Sequence, residues 1–290
     1  MQGSKIQVAY FCGMSLFITS LNSGSNGNCY YIGSEREAVL IDAGISCKET
    51  EKRMKRLGLN MSLVKAIFVS HEHSDHITGI PGLSKKFQLP VYITNTTLGS
   101  ASIPIEEHLV QNFFPEQPVI IGDLTVTAFS KCHDASDPHS FVVSDNLVNV
   151  GVFTDIGNSC TNVIQHFSQC HSVFLEANYC EDMLANGNYP YHLKKRISGD
   201  NGHLSNTQAL KLFTQHRAKH LTHLILSHLS KNNNSPALVE ELFNREANGT
   251  TIIVASRYHE TPVYCIKDTA DLPVAAKKQV SAGHTQLSLF

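Results

Sequence analysis

The chain has no excess of positive charge, no apolar run long enough to cross a bilayer and no closely spaced cysteine pair, and each absence removes a class of protein. Lys and Arg number 23 against 25 Asp and Glu, for a net charge of −2. Binding to nucleic acid through a broadly basic surface is therefore excluded, and any such contact must be local. The first apolar stretch, residues 6–18, is interrupted by Gln7, Gly13 and Ser15 and is too short for a membrane span. The eight cysteines are irregularly spaced, with no CxxC pair and no secretory leader. That pattern fits reduced thiols better than a disulfide framework. The cysteines are expected in the core, and the protein in the cytoplasm with no membrane attachment.

What is present is concentrated in one run, Ser70-His71-Glu72-His73-Ser74-Asp75-His76, an HxHxDH spacing dense in metal-ligating side chains. Residues 66–69 before it read as a buried strand, and residues 77–87 after it as a helix interrupted early by Gly79 and Pro81. In the extended part His71 and His73 point to the same side, so one cation can take both imidazoles. Asp75 and His76 follow as the chain turns, towards a second position beside the first. Two adjacent divalent cations are the expected result. The ligand types are His and carboxylate, so zinc and manganese both fit.

HxHxDH after a hydrophobic strand resembles the metallo-β-lactamase superfamily, and that family's other signatures occur in order along the chain. Asp42 ends the apolar run Val39-Leu40-Ile41, His133 follows residues 124–129, Asp155 follows Val152-Phe153-Thr154, and His228 ends Leu224-Ile225-Leu226-Ser227. The resemblance implies that His71, His73 and His133 hold one metal, that Asp75, His76 and His228 hold the other, and that Asp155 bridges them. Asp42 would orient a ligand imidazole from behind, or else serve as a turn-forming Asp. The fold implied is α/β, a four-layer αβ/βα sandwich in a single domain over residues 14–267. At 290 residues and 42% hydrophobic content the chain can bury such a core.

Several further pieces are similar to the YycJ or WalJ branch of that superfamily. They are the turn Ser23-Gly24-Ser25-Asn26-Gly27-Asn28, the segment from Tyr189 through Lys194-Lys195-Arg196, Gly202-His203-Leu204-Ser205-Asn206, and His228-Leu229-Ser230-Lys231. The branch implies a metal-dependent DNA exonuclease working in replication-linked repair such as mismatch repair. Small-ester, thioester or lactam hydrolysis and ribonuclease activity are the alternatives. Lys194, Lys195 and Arg196 form the tightest cationic cluster and would meet phosphates, unless they are a solvated helix face. His203, with Ser205 and Asn206 at the start of a helix, would converge on a phosphate. Asp75 is the candidate to orient the attacking water, and His203 or a metal-bound water would protonate the leaving oxygen. The basic segment 47–57 reads as a second nucleic-acid surface or, preferably, as a solvated amphipathic helix.

Met14 reads as the native start, with residues 1–13 a non-native or disordered extension. Residues 268–290 turn polar and small, reading as a flexible tail. The tail ends in Gln286-Leu287-Ser288-Leu289-Phe290, which resembles the peptide that docks bacterial repair proteins to the DNA sliding clamp. Gln286, Leu287, Leu289 and Phe290 would make that contact.

Overall fold

A computed structural model describes residues 15–268. Met14, residues 1–13 and the clamp-like terminus at 286–290 lie outside the described residues.

Two seven-stranded mixed sheets face each other. In the first, β1 (Ser15–Asn22), β2 (Cys29–Gly33) and β3 (Ala38–Ile41) form an antiparallel meander. Helix α1 (Cys47–Arg56) crosses to β4 (Val64–Phe68), parallel to β3, and α2 (Ser74–Ile77) with α3 (Ile80–Phe87) leads to β5 (Val91–Tyr92). After α4 (Asn95–Ala101), β6 (Val110–Gln111) closes that edge. The second sheet begins with the antiparallel strands β7 (Val119–Ile121), β8 (Leu124–Ser130), β9 (His139–Ser144) and β10 (Asn149–Phe153). Helix α5 (Thr161–Phe167) crosses to β11 (Ser172–Glu176). The helices α6 (Glu181–Asn186), α7 (Tyr191–Ile197) and α8 (Asn206–His216) lead to β12 (His223–Ser227), and α9 (Pro236–Asn244) leads to β13 (Thr251–Val254). Finally β14 (Tyr264–Lys267) returns to pair with β1.

The alternation of buried side chains explains the layers. Leu16, Ile18, Tyr30, Phe68, Phe141 and Phe174 fill the space between the sheets, where the Tyr30 and Phe174 rings meet at 4.9 Å across the interface. The outer face of the first sheet packs Leu40 and Ile67 against Met54 of α1 and Leu83 of α3. On the other side, Val173 and Leu224 pack against Phe167 of α5, Phe213 of α8 and Phe243 of α9. Each fully buried aromatic contributes roughly 1.5–3 kcal/mol of transfer free energy. The result is the αβ/βα sandwich expected.

Departures from expectation are local. Residues 119–129, whose apolar run reads as one strand, form a hairpin, because Gly122 takes φ +56° and a Cβ there would collide with the Glu37 carboxylate, which accepts the Asp123 amide at 2.7 Å. The helix expected over 77–87 is two helices, since the Gly79 amide leaves the helix to reach Ala43 O at 2.7 Å. Strand β6 and helix α2 are too short for periodicity to reveal, and edge strand β14 owes its place to pairing with β1. The seven described cysteines are free; Cys29 and Cys170 are buried as expected, whereas Cys265 faces outward from β14.

Candidate metal centre

Asp42, His71, His133, Asp155 and His228 sit just beyond strand ends, His73, Asp75 and His76 follow on the turn and short helix α2 after β4, and the loops there are unusual. Asp42 after β3, Asp155 after β10 and His228 after β12 all take left-handed backbone conformations, with φ of 58°, 55° and 55°. Such conformations cost a non-glycine residue free energy and recur where a side chain must be aimed at a site. Gly44 lets the loop after β3 press against the HxHxDH turn: a Cβ there would lie 1.7 Å from Asp75 O.

Three imidazoles converge first. His71 is fully buried, and its Nδ1–H donates to Ser70 Oγ at 2.9 Å, which leaves Nε2 free, 3.0 Å from His73 Nδ1. His133 donates from Nδ1 to Gly202 O at 3.0 Å, so its Nε2 faces His73 Nδ1 at 3.4 Å. Burial, with His76 and Lys131 nearby, holds the His71 imidazole well below the usual histidine range. Burial also brings His133 down to about 4. Both are neutral lone-pair donors, as a metal ligand must be.

The second group is charged. Asp42, fully buried, accepts Ser70 N and Ser70 Oγ, both at 2.8 Å, and His76 Nδ1–H at 2.7 Å, which turns His76 Nε2 towards Asp155 Oδ2 at 3.0 Å. Asp75 Oδ2 lies 3.6 Å from His76 Nε2 and 3.4 Å from His228 Nε2. Asp155 reaches both groups, with Oδ1 3.8 Å from His133 Nε2 and 3.4 Å from His228 Nδ1. Burial alone would lower the two imidazoles. Asp155, Asp42 and Asp75 override it to hold His76 well above the usual range, and Asp155, Asp75 and Glu176 hold His228 at about 10. In turn, His76 and His228 outweigh burial to bring Asp75 down to about 2. Protons on His76 and His228 thus balance buried carboxylates at positions that a divalent cation would fill.

The donor set fits such a cation. His71, His73 and His133 bring one ligand atom each to within 4.8 Å of one another, as do Asp75, His76 and His228, and likewise His71, His76 and Asp155. Asp155 Oδ2 and His228 Nε2 are buried, and each faces another member of the cluster, His76 Nε2 at 3.0 Å and Asp75 Oδ2 at 3.4 Å, so the donor atoms are turned towards one another, as ligands of shared cations are. Asp42→Asn tests the supporting role of Asp42, because asparagine tolerates its left-handed backbone. The expected outcome is a fall in metal affinity of about 10–100-fold in competition with a chromophoric chelator. Unchanged affinity would leave Asp42 as a turn residue only.

Glu176 was missed by the sequence reading. It ends β11, is fully buried, and accepts His203 Nδ1–H at 2.8 Å and His228 Nδ1–H at 3.0 Å through Oε1. Its Oε2 accepts the amides of Ile156 at 2.8 Å and Leu204 at 3.2 Å. His203 and His228 outweigh its burial and bring it down to about 2. The signal was there, a carboxylate closing the apolar run Ser172-Val173-Phe174-Leu175, as Asp42 closes its own. Lys131 was missed too; it is buried, donates to Thr154 O at 2.6 Å and has its pKa lowered by burial.

The remaining candidates divide. The His203 ring centroid lies 5.2 Å from that of His133 and 5.3 Å from that of His228, so His203 is at the centre. Ser205 and Asn206, expected to meet an anion, are turned inward. Ser205 is spent on a capping box with Gln208, and Asn206 exchanges side-chain hydrogen bonds with Asn234 at 2.9 and 2.8 Å. Arg196, on α7, bonds Asp134, whose other oxygen is 3.4 Å from His133 Nε2. Lys194 instead donates to Ala185 O, and Lys195 lies on the same exposed helix. The glycine-rich turn faces the centre: Asn28 Nδ2 donates to Asp75 Oδ2 at 3.1 Å, and Ser23 Oγ accepts the His228 amide at 2.8 Å. On helix α1, Arg53 is buried on Leu21 O and Asn22 and Arg56 is paired with Glu260, so these two cations are already partnered within the fold.

Residues 37–228 match the family model described as the beta-lactamase superfamily domain. The chain is 33% identical over 258 residues, 86% of its length and 96% of the relative's, to exodeoxyribonuclease YycJ of Bacillus anthracis. It is 29% identical over 223 residues, 74% of its length and 81% of the relative's, to exodeoxyribonuclease WalJ of Streptococcus pneumoniae. The metallo-beta-lactamase fold protein YhfI from Bacillus subtilis superposes with a TM-score of 0.66 at 17% identity, over 87% of this chain and 99% of that one.

Proposed function

Because the chain belongs to the beta-lactamase superfamily, whose fold and metal-dependent hydrolase character it shares, we propose that it is a two-metal phosphodiesterase that removes nucleotides from DNA ends. Its curated relatives carry the name exodeoxyribonuclease. The observation that carries the reading is His203, whose Nδ1–H is held by Glu176 at 2.8 Å while the ring, one-fifth exposed, borders the donor cluster. That arrangement suits a proton donor for the alkoxide leaving a phosphodiester.

His71, His73 and His133 would hold one cation, Asp75, His76 and His228 the other, with Asp155 between them and Asp42 behind His76. Zinc and manganese both suit this donor set. When bound, such cations neutralise charge on phosphoryl oxygens and acidify water. Asp75, partly exposed, accepts a hydrogen bond from the attacking water and orients it, while Asn28 holds the carboxylate in place. His203 acts as an imidazolium: its Nδ1–H stays on Glu176, which stabilises that form, and the proton on Nε2 passes to the leaving oxygen. Arg196, with Lys194 and Lys195 on the same helix, supplies the cationic flank near His133.

The test is cleavage of 5′-labelled and 3′-labelled DNA, with matched RNA, by protein given manganese or zinc. Stepwise loss from one DNA end is expected, abolished by chelation. Turnover of a simple ester with neither polymer cleaved would replace this reading by that of a small-ester hydrolase, and cleavage of RNA alone by that of a ribonuclease. We place the activity in the cytoplasm, in replication-linked repair such as mismatch repair. There Gln286, Leu287, Leu289 and Phe290 would dock to the sliding clamp. Removing residues 286–290 should end capture by immobilised clamp while DNA cleavage continues; capture by the shortened chain would refute the docking role. Among the described residues no helix is long and apolar enough to cross a membrane.

A further inference from the structure

We propose that the cleft between the edge strands β13 and β14 carries a single strand of nucleic acid away from the metal centre, with Lys231 and Arg257 on its phosphates and Tyr258 against a base. This rests on the phosphodiesterase reading and extends it to a substrate path on the side opposite α7.

The cleft measures about 1180 Å³ and is lined by Ser23 and Leu229 as well as by β13, the segment that follows it and β14. Ser23 accepts the backbone amide of His228 at 2.8 Å, and Leu229 is the next residue, so the cleft borders the loop that carries His228. Its volume exceeds the roughly 300–1,000 Å³ of small-molecule pockets, as an extended polymer requires. In the row His133, His203, His228, Arg196 flanks the first ring through Asp134 and the cleft flanks the last. A scissile phosphate at His203 would therefore have a cationic surface on either side.

The charges favour a polyanion. Lys231 and Arg257 line the cleft against one carboxylate, Glu240. Among the described residues neither cation has a carboxylate partner, and Arg257 Nη2 bonds only Ser25 Oγ at 3.0 Å. Arg53 and Arg56 of α1, by contrast, are paired with Glu49 and Glu260. Cations left unpaired beside a nuclease-type centre are placed to meet phosphates. Tyr258 is 60% exposed, yet its backbone is pinned at both ends: its amide donates to Ser256 Oγ at 3.0 Å and its carbonyl accepts Arg53 Nη2 at 3.2 Å. A fixed backbone presenting an exposed ring is a stacking platform for a base of any identity.

The experiment measures anisotropy of a fluorescein-labelled phosphorothioate oligothymidylate with the full-length, metal-loaded protein across a salt series. Lys231→Ala/Arg257→Gln should weaken binding about tenfold and reduce the slope of log affinity against log salt by about 1.4, from about 0.7 per phosphate contact on single strands. Tyr258→Ala should weaken binding about tenfold with the slope retained. In parallel, the KM for DNA should rise about tenfold more than the KM for bis(p-nitrophenyl) phosphate. Affinity and slope that match the wild type in both variants would overturn the cleft, and a strand of protein pairing with β13 would then be its occupant. Equal losses on DNA and on the small diester would overturn it too, by moving the effect to the metal centre. Wild-type protein that cleaves neither substrate, while the variants still lose affinity and slope, would refute the phosphodiesterase reading and leave the cleft as a nucleic-acid surface.

Discussion

Asp75→Ala is expected to lower DNA cleavage at least about a thousandfold while the protein stays folded. A positioned acid or base contributes about 10²–10⁴ in rate, and Asp75 would serve both as a metal donor and as the group that orients water, which places the loss in the upper part of that range. The fold should survive for a structural reason. Asp75 contributes its backbone carbonyl to Asn28 N at 2.7 Å, and that bond remains in the variant. His76 and His228 keep Asp42, Asp155 and Glu176 as partners. Circular dichroism should match the wild type, and single-turnover cleavage should be the quantity lost. Turnover within tenfold of wild type would end the role assigned to Asp75.

His203→Ala is expected to lower kcat on DNA by about 10²–10⁴, with a much smaller loss on thymidine 5′-p-nitrophenyl phosphate. The difference follows from the leaving groups: a deoxyribose alkoxide needs a proton as it departs, whereas p-nitrophenolate leaves without one. Glu176→Gln should follow the same pattern, because it weakens the acceptor that holds His203 Nδ1. It should also depress metal affinity, since His228 Nδ1 shares that oxygen. Equal losses on both substrates would show that His203 positions the substrate and does not protonate it.

Much of the centre was legible because its chemistry is written in residue types at strand ends. HxHxDH needs only local geometry to bring His71 and His73 to one side, and its spacing after an apolar strand made it stand out. Asp42, Asp155 and His228 each close an apolar run, and the structure brings all three to one place. Glu176 closes a run in the same way but was passed over, because a single carboxylate after a strand has no spacing partner to mark it. Ser205 and Asn206 misled for the converse reason. Their residue types suit an anion site, but type does not reveal whether a side chain is already satisfied. Ser205 caps α8 and Asn206 is locked to Asn234, 28 positions away.

The sequence by itself determined the alternation of buried strands, the HxHxDH donor run and the absence of a broadly basic surface, since each depends on periodicity, spacing or composition, which are properties of neighbouring residues. Only the tertiary structure decided which carboxylates face which imidazoles, how burial and those carboxylates divide neutral His71 and His133 from charged His76 and His228, and which cations stay unpaired. Those outcomes depend on distances between residues far apart in the chain. Asp42 and His76 are 34 positions apart, and Glu176 and His228 are 52 apart. Electrostatic interaction in a buried site is set by such distances and by the exclusion of water, and neither exists until the two sheets have closed on each other.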